Sequence, residues 1–165
     1  MKIQNAIELT TEDQSLNSIE KSLLIHFIGV ANPKIILELG VYKGSTTKFI
    51  NEFLNVNNIK SKIIGFDLED VIIQLTEEDP LIKEMVKKNR LELIGGLLPF
   101  TLKKYLKQNK PTIDCVLIDA KHDYKSVFGE LTLIWPYLSK DGFIICHDYH
   151  KTRLQYAMRY FSKKK

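Results

Sequence analysis

The sequence predicts an α/β fold: a doubly wound, mostly parallel, Rossmann-like sheet of about five strands with helices on both faces. Strand-like and helix-like apolar patterns alternate along most of the chain. The run at 113–119 is apolar enough to be covered on both faces, as is typical of parallel sheets. Right-handed crossovers bring such strands into one sheet. No linker or internal repeat divides the 165 residues, so a single domain over 1–165 is expected.

An N-terminal helix is expected over 11–31. Thr11 can cap it, and the Asn32-Pro33 pair would end it, because the residue before proline disfavours helical backbone. Apolar residues recur within it at helical spacing, at Leu16, Ile19, Leu23, Phe27 and Val30.

The first half of the core is expected to alternate three strands with two helices. Short apolar runs predict strands at 34–39, 63–67 and 90–94. The helix over 45–55 presents one apolar face, made of Phe49, Ile50, Phe53 and Leu54. A further helix is expected from Thr76, because an acid follows three residues later and Pro80 falls in its first turn.

The second half is expected to add two strands and three helices. A helix over 98–106 precedes strand four at 113–119, and an amphipathic helix from Tyr124 to Leu138 follows it. The Asp141-Gly142 turn leads into strand five at 143–146. The core is therefore expected over 34–149, with a C-terminal helix over 150–165.

Composition indicates a soluble globular protein. The chain is 44% hydrophobic and 27% charged, and no apolar run approaches the ~20 residues that cross a bilayer. No secretory signal opens the sequence, so a cytoplasmic protein without membrane partners is expected. The net charge of +4 comes from scattered lysines rather than a basic stripe with interleaved aromatics, so no nucleic-acid partner is expected. Cys115 and Cys146 lie in apolar runs and are expected to be buried thiols.

The segment from Glu38 to Thr47 carries the most specific local pattern. It follows strand one and turns through Gly40 and Gly44 into a helix, so backbone N–H groups of the helix start would face a ligand. Its E-x-G-x-x-x-G-x-T spacing differs from G-x-G-x-x-G and lacks the Lys-Ser/Thr of a P-loop. An acid at the strand end favours a ligand with hydroxyls or an amine. An ordinary strand-to-helix connection remains the alternative.

Further polar residues lie at the carboxyl ends of the predicted strands, where doubly wound sheets bind ligands. Asp67 would accept hydrogen bonds from both ribose hydroxyls of an adenosine, or would cap a local turn. Gly95 and Gly96 would leave room for an adenine ring, or would form a flexible turn. Asp119 with His122, and His147 with Asp148, end strands four and five.

These motifs resemble the class I S-adenosylmethionine (SAM) dependent methyltransferases. The loop is joined by Asp119-Ala120-Lys121-His122-Asp123-Tyr124, by Trp135-Pro136-Tyr137-Leu138 and by His147-Asp148-Tyr149, an ordered series. It is similar to the branch that includes macrocin-type sugar O-methyltransferases and cephalosporin-hydroxylase-like proteins. The resemblance implies SAM as cofactor and often a divalent cation such as Mg²⁺. It assigns cofactor binding to Glu38, Gly40, Tyr42, Gly44, Ser45, Thr46, Asp67, Gly95, Gly96 and Asp119, and metal binding to Asp119, His147 and Asp148.

The chain departs from that branch in three places. Relatives commonly carry two acids where this chain has His147-Asp148, which removes one oxygen ligand for a hard cation. Ala120 and Asp141 replace two usual glycines. The series also lacks the usual sixth and seventh strands. Strand five would then be an apolar edge, which the last helix or another subunit is expected to cover, so a homo-oligomer is expected.

The expected activity is methylation of a hydroxyl on a small molecule or sugar. Asp119, His122 and Asp148 are the expected catalytic residues: a metal near the two acids would lower the pKa of a bound hydroxyl, whereas His122 or His150 would act as general base without metal. The alternatives are a non-catalytic or truncated SAM-binding or assembly module and, less favoured without G-x-G-x-x-G, a nicotinamide-dependent oxidoreductase.

Overall fold

The structure, a computed structural model, describes residues 16–121, 123–148 and 152–164. These residues form five strands and seven α-helices in alternating order, with one 3₁₀ turn at Trp135–Tyr137. The strands are β1 (Ile35–Leu39), β2 (Lys62–Asp67), β3 (Leu91–Gly95), β4 (Ile113–Ile118) and β5 (Leu138–Cys146). The helices are α1 (Ser18–Ala31), α2 (Ser45–Val56), α3 (Glu69–Glu78), α4 (Pro80–Lys87), α5 (Phe100–Asn109), α6 (Tyr124–Ile134) and α7 (Thr152–Lys164). None of these helices is long and apolar enough to span a bilayer.

All five strands lie in one parallel sheet with the order β3-β2-β1-β4-β5. The chain first moves outward from β1 through β2 to β3 and then crosses to β4 on the other side. The strand order therefore reverses between β1 and β4, and doubly wound sheets bind ligands at such a point. Leu39 pairs with both Phe66 and Ile118, so the three central strands end at one level. The predicted fold class is confirmed.

Two apolar layers cover the two faces of the sheet. One layer packs α1 to α4 against the sheet, with Phe49, Phe53 and Ile82 fully buried in it. The other packs α5 to α7 against the opposite face, around Leu102 and Leu131. Successive residues of each strand point into opposite layers, and both layers are apolar. The strands are therefore apolar throughout, as is typical of parallel sheets that are covered on both faces.

Helix α1 differs from its prediction in both start and orientation. It begins at Ser18 rather than near residue 11, because Asn17 and Glu20 form a capping box; Thr11 lies outside the described residues. Its buried stripe includes Leu24, Ile25 and Ile28, whereas the periodic residues Ile19, Leu23, Phe27 and Val30 are 47–72% exposed. The helix is apolar around most of its circumference, so spacing alone did not determine its inner face.

Two further predictions of element boundaries are wrong. The helix expected from Thr76 is two helices: Thr76 lies near the end of α3, and Asp79 caps α4 by accepting the N–H groups of Leu81 and Ile82. Strand β5 begins at Leu138 rather than 143, because its pairing with β4 continues past an irregularity at the expected Asp141-Gly142 turn.

Strand β5 ends the order of the described sheet, and α7 packs mainly against α6. A homo-oligomer that covers this edge stays a prediction, which a monomeric mass by light scattering would contradict.

Candidate active site

A cavity of about 850 Å³ opens where the strands end. Most of the predicted site residues line it: Gly40, Tyr42, Ser45, Thr46, Asp67, Gly96, Asp119, His147 and Asp148. Three residues predicted to bind cofactor, Glu38, Gly44 and Gly95, do not line it. The predicted catalytic residue His122 lies outside the described residues. The carboxyl ends of all five strands thus contribute to one cavity, as the strand order requires.

The turn from β1 to α2 forms one wall. Gly40 has a φ of +92°, and a Cβ there would lie 2.5 Å from the backbone oxygen of Asp119, so only glycine fits between the two strands. Gly44 begins α2 in left-handed conformation, and among the described residues no side chain caps this helix. Ser45 and Thr46, the first two helical residues, line the cavity. The uncapped helix start therefore offers backbone N–H groups to an anionic group.

Glu38 lies beneath this turn rather than in the cavity. Its side chain is fully buried, and its Oε2 accepts a 2.6 Å hydrogen bond from the Thr47 hydroxyl. Its Oε1 is buried and has no hydrogen-bond partner among the described residues. Burial raises the pKa of Glu38 to about 8, and the negative charges of Asp119 and Asp67 add to the rise. Glu38 thus links β1 to α2, and its predicted contact with a cofactor stays a prediction.

Asp67 ties β2 to the same turn. Its Oδ2 accepts hydrogen bonds from the backbone N–H groups of Val41 at 2.8 Å and Tyr42 at 2.7 Å. Its Oδ1 accepts a hydrogen bond from the N–H of Leu68 at 2.7 Å. The turn-capping role is therefore present. Each carboxylate oxygen can accept more than one hydrogen bond, and Asp67 lines the cavity, so the ribose role also stays a prediction.

The Gly95-Gly96 pair has two different surroundings. Gly96 lines the cavity. At Gly95 a Cβ would lie 2.5 Å from Glu69 Oε2, so the missing side chain makes room for α3. Of the two glycines only Gly96 lines the cavity, and its predicted contact with an adenine ring stays a prediction.

His147 connects three elements at the β4–β5 end of the cavity. Its Nδ1 lies 2.8 Å from Asp119 Oδ1 and 3.8 Å from Asp148 Oδ1. Its Nε2 lies 3.4 Å from Oε1 of Glu20, which is on α1. Asp148 itself has a φ of +56°, a left-handed conformation that aspartate tolerates better than most residues. The imidazole is therefore held between acids on both of its nitrogens.

Several cavity residues were not predicted. Ser126 and Glu130 line it from α6, and Leu68 and Leu97 line it from the other side. Glu130 is 1% exposed although it is acidic. The sequence did carry a signal for it, since Glu130 falls between Val127 and Ile134 on the apolar face of a helix. Glu20 gave no such signal, because in the helix expected over 11–31 it looks like any other acid on a helix surface.

The chain is similar in sequence and fold to methyltransferases. A family profile described as a methyltransferase domain matches residues 37–149. The SAH-bound methyltransferase PaMTH1 of Podospora anserina is 22% identical, with 88% of this chain and 61% of that chain covered and a TM-score of 0.62. SAH here is S-adenosylhomocysteine. The chain thus spans about three fifths of the length of PaMTH1.

Two further solved structures share the fold. The O-methyltransferase from Bacillus cereus, in complex with SAH, is 15% identical, with 98% of this chain and 77% of that chain covered and a TM-score of 0.69. CalS11, a TDP-rhamnose 3'-O-methyltransferase in calicheamicin biosynthesis, is 18% identical, with 96% and 82% covered and a TM-score of 0.63. No curated protein sequence matches the chain.

The parallel sheet, the cavity at its switch point and the profile match over 37–149 all agree with the resemblance inferred from the sequence motifs. The correspondence of individual motif residues stays a prediction. The chain belongs to the methyltransferase domain family, with the class I SAM-dependent methyltransferase fold.

Proposed function

We propose that the protein transfers a methyl group from SAM to a hydroxyl of a small molecule or sugar. The observation that carries the proposal is the single cavity shared by the Gly40–Thr46 turn, Asp67 and the acids at the ends of β4 and β5. The names of two structural neighbours, an O-methyltransferase and a sugar O-methyltransferase, support the acceptor class. A cytoplasmic location accords with this function and is part of the proposal.

The residues of the cavity fit SAM. The uncapped start of α2 suits a carboxylate, and Asp67 retains lone pairs for ribose hydroxyls. Leu68 and Leu97, both largely exposed, offer apolar surface beside Gly96 for a purine ring. Beneath the turn, Glu38 Oε1 is a buried acceptor atom without a partner in the part of the chain that the structure describes.

When bound, SAM supplies an electrophilic methyl group on a sulfonium. The protein has to align the oxygen of the acceptor hydroxyl with that methyl group, and it has to remove the proton of that hydroxyl. We assign proton removal to Nε2 of His147, which lines the cavity, because an Nδ1–H donated to Asp119 leaves Nε2 as the basic nitrogen. The acceptor hydroxyl would approach Nε2 beside Glu20 Oε1, which lies 3.4 Å from that nitrogen. Asp148 lies beside Nδ1. His122 and His150 remain the predicted alternative bases.

A divalent cation at Asp119, His147 and Asp148 remains a secondary proposal. The described residues do not assemble three ligating side chains around one point. Asp119 Oδ1 lies within hydrogen-bonding distance of His147 Nδ1, and only two of the three candidate ligands carry the oxygen atoms that a hard cation prefers, so these groups fit a hard cation poorly. We therefore favour proton removal by histidine.

We expect SAH to bind the protein, and the change Asp67→Ala to weaken that binding by about 1–3 kcal/mol. Alanine removes both the ribose partner and the acceptor for the Val41 and Tyr42 N–H groups. Isothermal titration calorimetry measures the affinity. Asp141→Ala is the control, because Asp141 is an exposed acid outside the cavity. Equal SAH affinity in wild type and Asp67→Ala would remove Asp67 from the site.

We expect methyl transfer to hydroxylated acceptors to survive EDTA and to fall at least about a hundredfold in His147→Ala, because general-base catalysis contributes that much or more. Release of SAH from SAM in the presence of a panel of catechols and sugars measures it. Activity that EDTA abolishes and Mg²⁺ restores would instead establish a cation at the two acids.

The two rival functions differ in simple measurements. A nicotinamide-dependent enzyme would be stabilised thermally by NAD and not by SAH. A non-catalytic module would bind SAH without turnover on any acceptor of the panel.

A further inference from the structure

The cavity has two halves, which lie on opposite sides of the point where strand order reverses. The turn after β1 and the residues after β2 and β3 form the half assigned above to the cofactor. The other half, here called the acceptor half, comes from the ends of β4 and β5 and from α6. Its polar residues are Asp119, Lys121, Ser126, Glu130, His147 and Asp148.

Glu130 is the most deeply buried acid of the acceptor half. Its side chain is 1% exposed, and its Oε2 has no hydrogen-bond partner among the described residues. Burial raises the pKa of Glu130 to about 7, and the charge of Asp123 adds to the rise. A buried carboxyl without a partner destabilises a fold, and an apolar side chain at this position of α6 would avoid that penalty.

The polar groups nearest to Glu130 along the chain have other partners. Ser126, one helical turn earlier, donates its hydroxyl to Asp123 Oδ2 at 2.9 Å. Lys121 lies 3.4 Å from the same carboxylate. His147, across the cavity, is held between Asp119 and Glu20. Glu130, which lines the cavity, therefore carries a buried acceptor atom that has no donor among the described residues.

We propose that Glu130 binds the methyl acceptor by pairing with one of its hydrogen-bond donors, a hydroxyl or an ammonium group. The inference rests on the proposed function, because it takes the acceptor half as the place of the second substrate. Glu130 is thus an acceptor-binding residue that selects for a donor group on the side of the cavity that α6 lines. A methyl acceptor that presents only an ether or carbonyl oxygen to Glu130 has no hydrogen to donate. Both that oxygen and the Glu130 carboxylate would then lack a hydrogen-bond partner.

Three probes of similar size separate the chemistries: benzylammonium, benzyl alcohol and benzyl methyl ether, which lacks a donor. Each is titrated by ¹H–¹⁵N NMR into SAH-saturated protein, with the amides of 126–131 as reporters. We expect the two donors to bind about tenfold more tightly than the ether, the value of one hydrogen bond to a charged or buried group.

Two variants and one control test the role of the side chain. Glu130→Leu should abolish the preference for both donors, and it should melt at a higher temperature than wild type at pH 8, which shows that it folds. Glu130→Gln keeps an acceptor oxygen and should lose the preference for ammonium only. Glu77→Gln, an exposed acid on α3, should leave all affinities unchanged.

The outcomes distinguish the inference from the proposed function. Equal affinities for the three probes, probes that leave the 126–131 amides unperturbed, or a donor preference that survives Glu130→Leu would overturn the role of Glu130 while SAH binding stands. Weaker SAH binding in Glu130→Leu would place this residue in the cofactor half and also overturn it. Failure of SAH to bind wild type would overturn the proposed function and this inference together.

Discussion

Replacing Gly40 with alanine is expected to destabilise the protein by about 2–5 kcal/mol and to abolish SAH binding. The new Cβ would lie 2.5 Å from the Asp119 oxygen, 2.7 Å from the Asp119 carbonyl carbon and 2.8 Å from the Ala120 Cα. All three are backbone atoms, so β1 and β4 would have to separate. A left-handed φ costs a further ~1–2 kcal/mol for a non-glycine residue, and overpacking costs about 1–3 kcal/mol.

Urea unfolding and SAH calorimetry measure the two effects of Gly40→Ala. Gly129→Ala is the matched control, because a Cβ at this position of α6 would meet nothing within 4 Å. Alanine is the better helix former, so the control should be about 0.5–1 kcal/mol more stable than wild type. A Gly40→Ala variant with wild-type stability and SAH affinity would show that the turn is not held against β4 as described.

Replacing Glu38 with glutamine is expected to stabilise the protein above pH 8. The folded-state pKa of Glu38, about 8, lies above its ordinary value of 4.5 because the side chain is buried. The folded protein therefore retains a proton that the unfolded chain releases, so the contribution of Glu38 to stability is fully present below pH 4.5 and is lost as pH rises through 8. At pH 9 the loss is on the order of 3–5 kcal/mol.

The glutamine side chain stays neutral, and its amide oxygen can still accept the hydrogen bond from the Thr47 hydroxyl. Urea unfolding of wild type and Glu38→Gln at pH 5 and pH 9 should therefore show similar stability at the lower pH and a more stable variant at the higher. Glu130, with a pKa of about 7, also loses a proton between pH 5 and pH 9. The test is therefore the difference in stability between wild type and Glu38→Gln at each pH, rather than the change in wild-type stability with pH. Glu77→Gln should show no such difference. Parallel stability curves for wild type and Glu38→Gln would mean that Glu38 ionises normally in the folded state.

The sheet and the cavity could be predicted because both depend on local patterns. Apolar runs of strand length and the glycines at 40 and 44 can be recognised from a few neighbouring residues. Because ligands of doubly wound sheets bind at the carboxyl ends of the strands, Asp67, Asp119 and Asp148 can then be predicted to lie in one site. The expected positions of these residues in one cavity are matched by the structure. Their individual roles as cofactor or metal ligands stay predictions.

The remaining features depend on tertiary packing, which a sequence pattern does not contain. Helix α1 has apolar residues on several faces, and only its contact with the sheet selects Leu24 and Ile28 over Leu23 and Val30. Glu38 looks like a strand-end acid available to ligand, yet the following turn covers it. Thr76 has the spacing of a helix cap, but Asp79 competes successfully because it directly precedes a proline.

The contact between Glu20 and His147 changes what counts as the minimal protein. The family profile covers 37–149, which omits α1, but a side chain of α1 lies 3.4 Å from an imidazole of the cavity. The other carboxylate oxygen of Glu20 accepts the N–H of Asn17 and so fixes the start of that helix. A fragment cut at the limits of the profile would lose all of α1 and the first two residues of β1, and it would leave His147 without its contact to Glu20. Expression designs and chimaeras of this domain should therefore begin before Asn17.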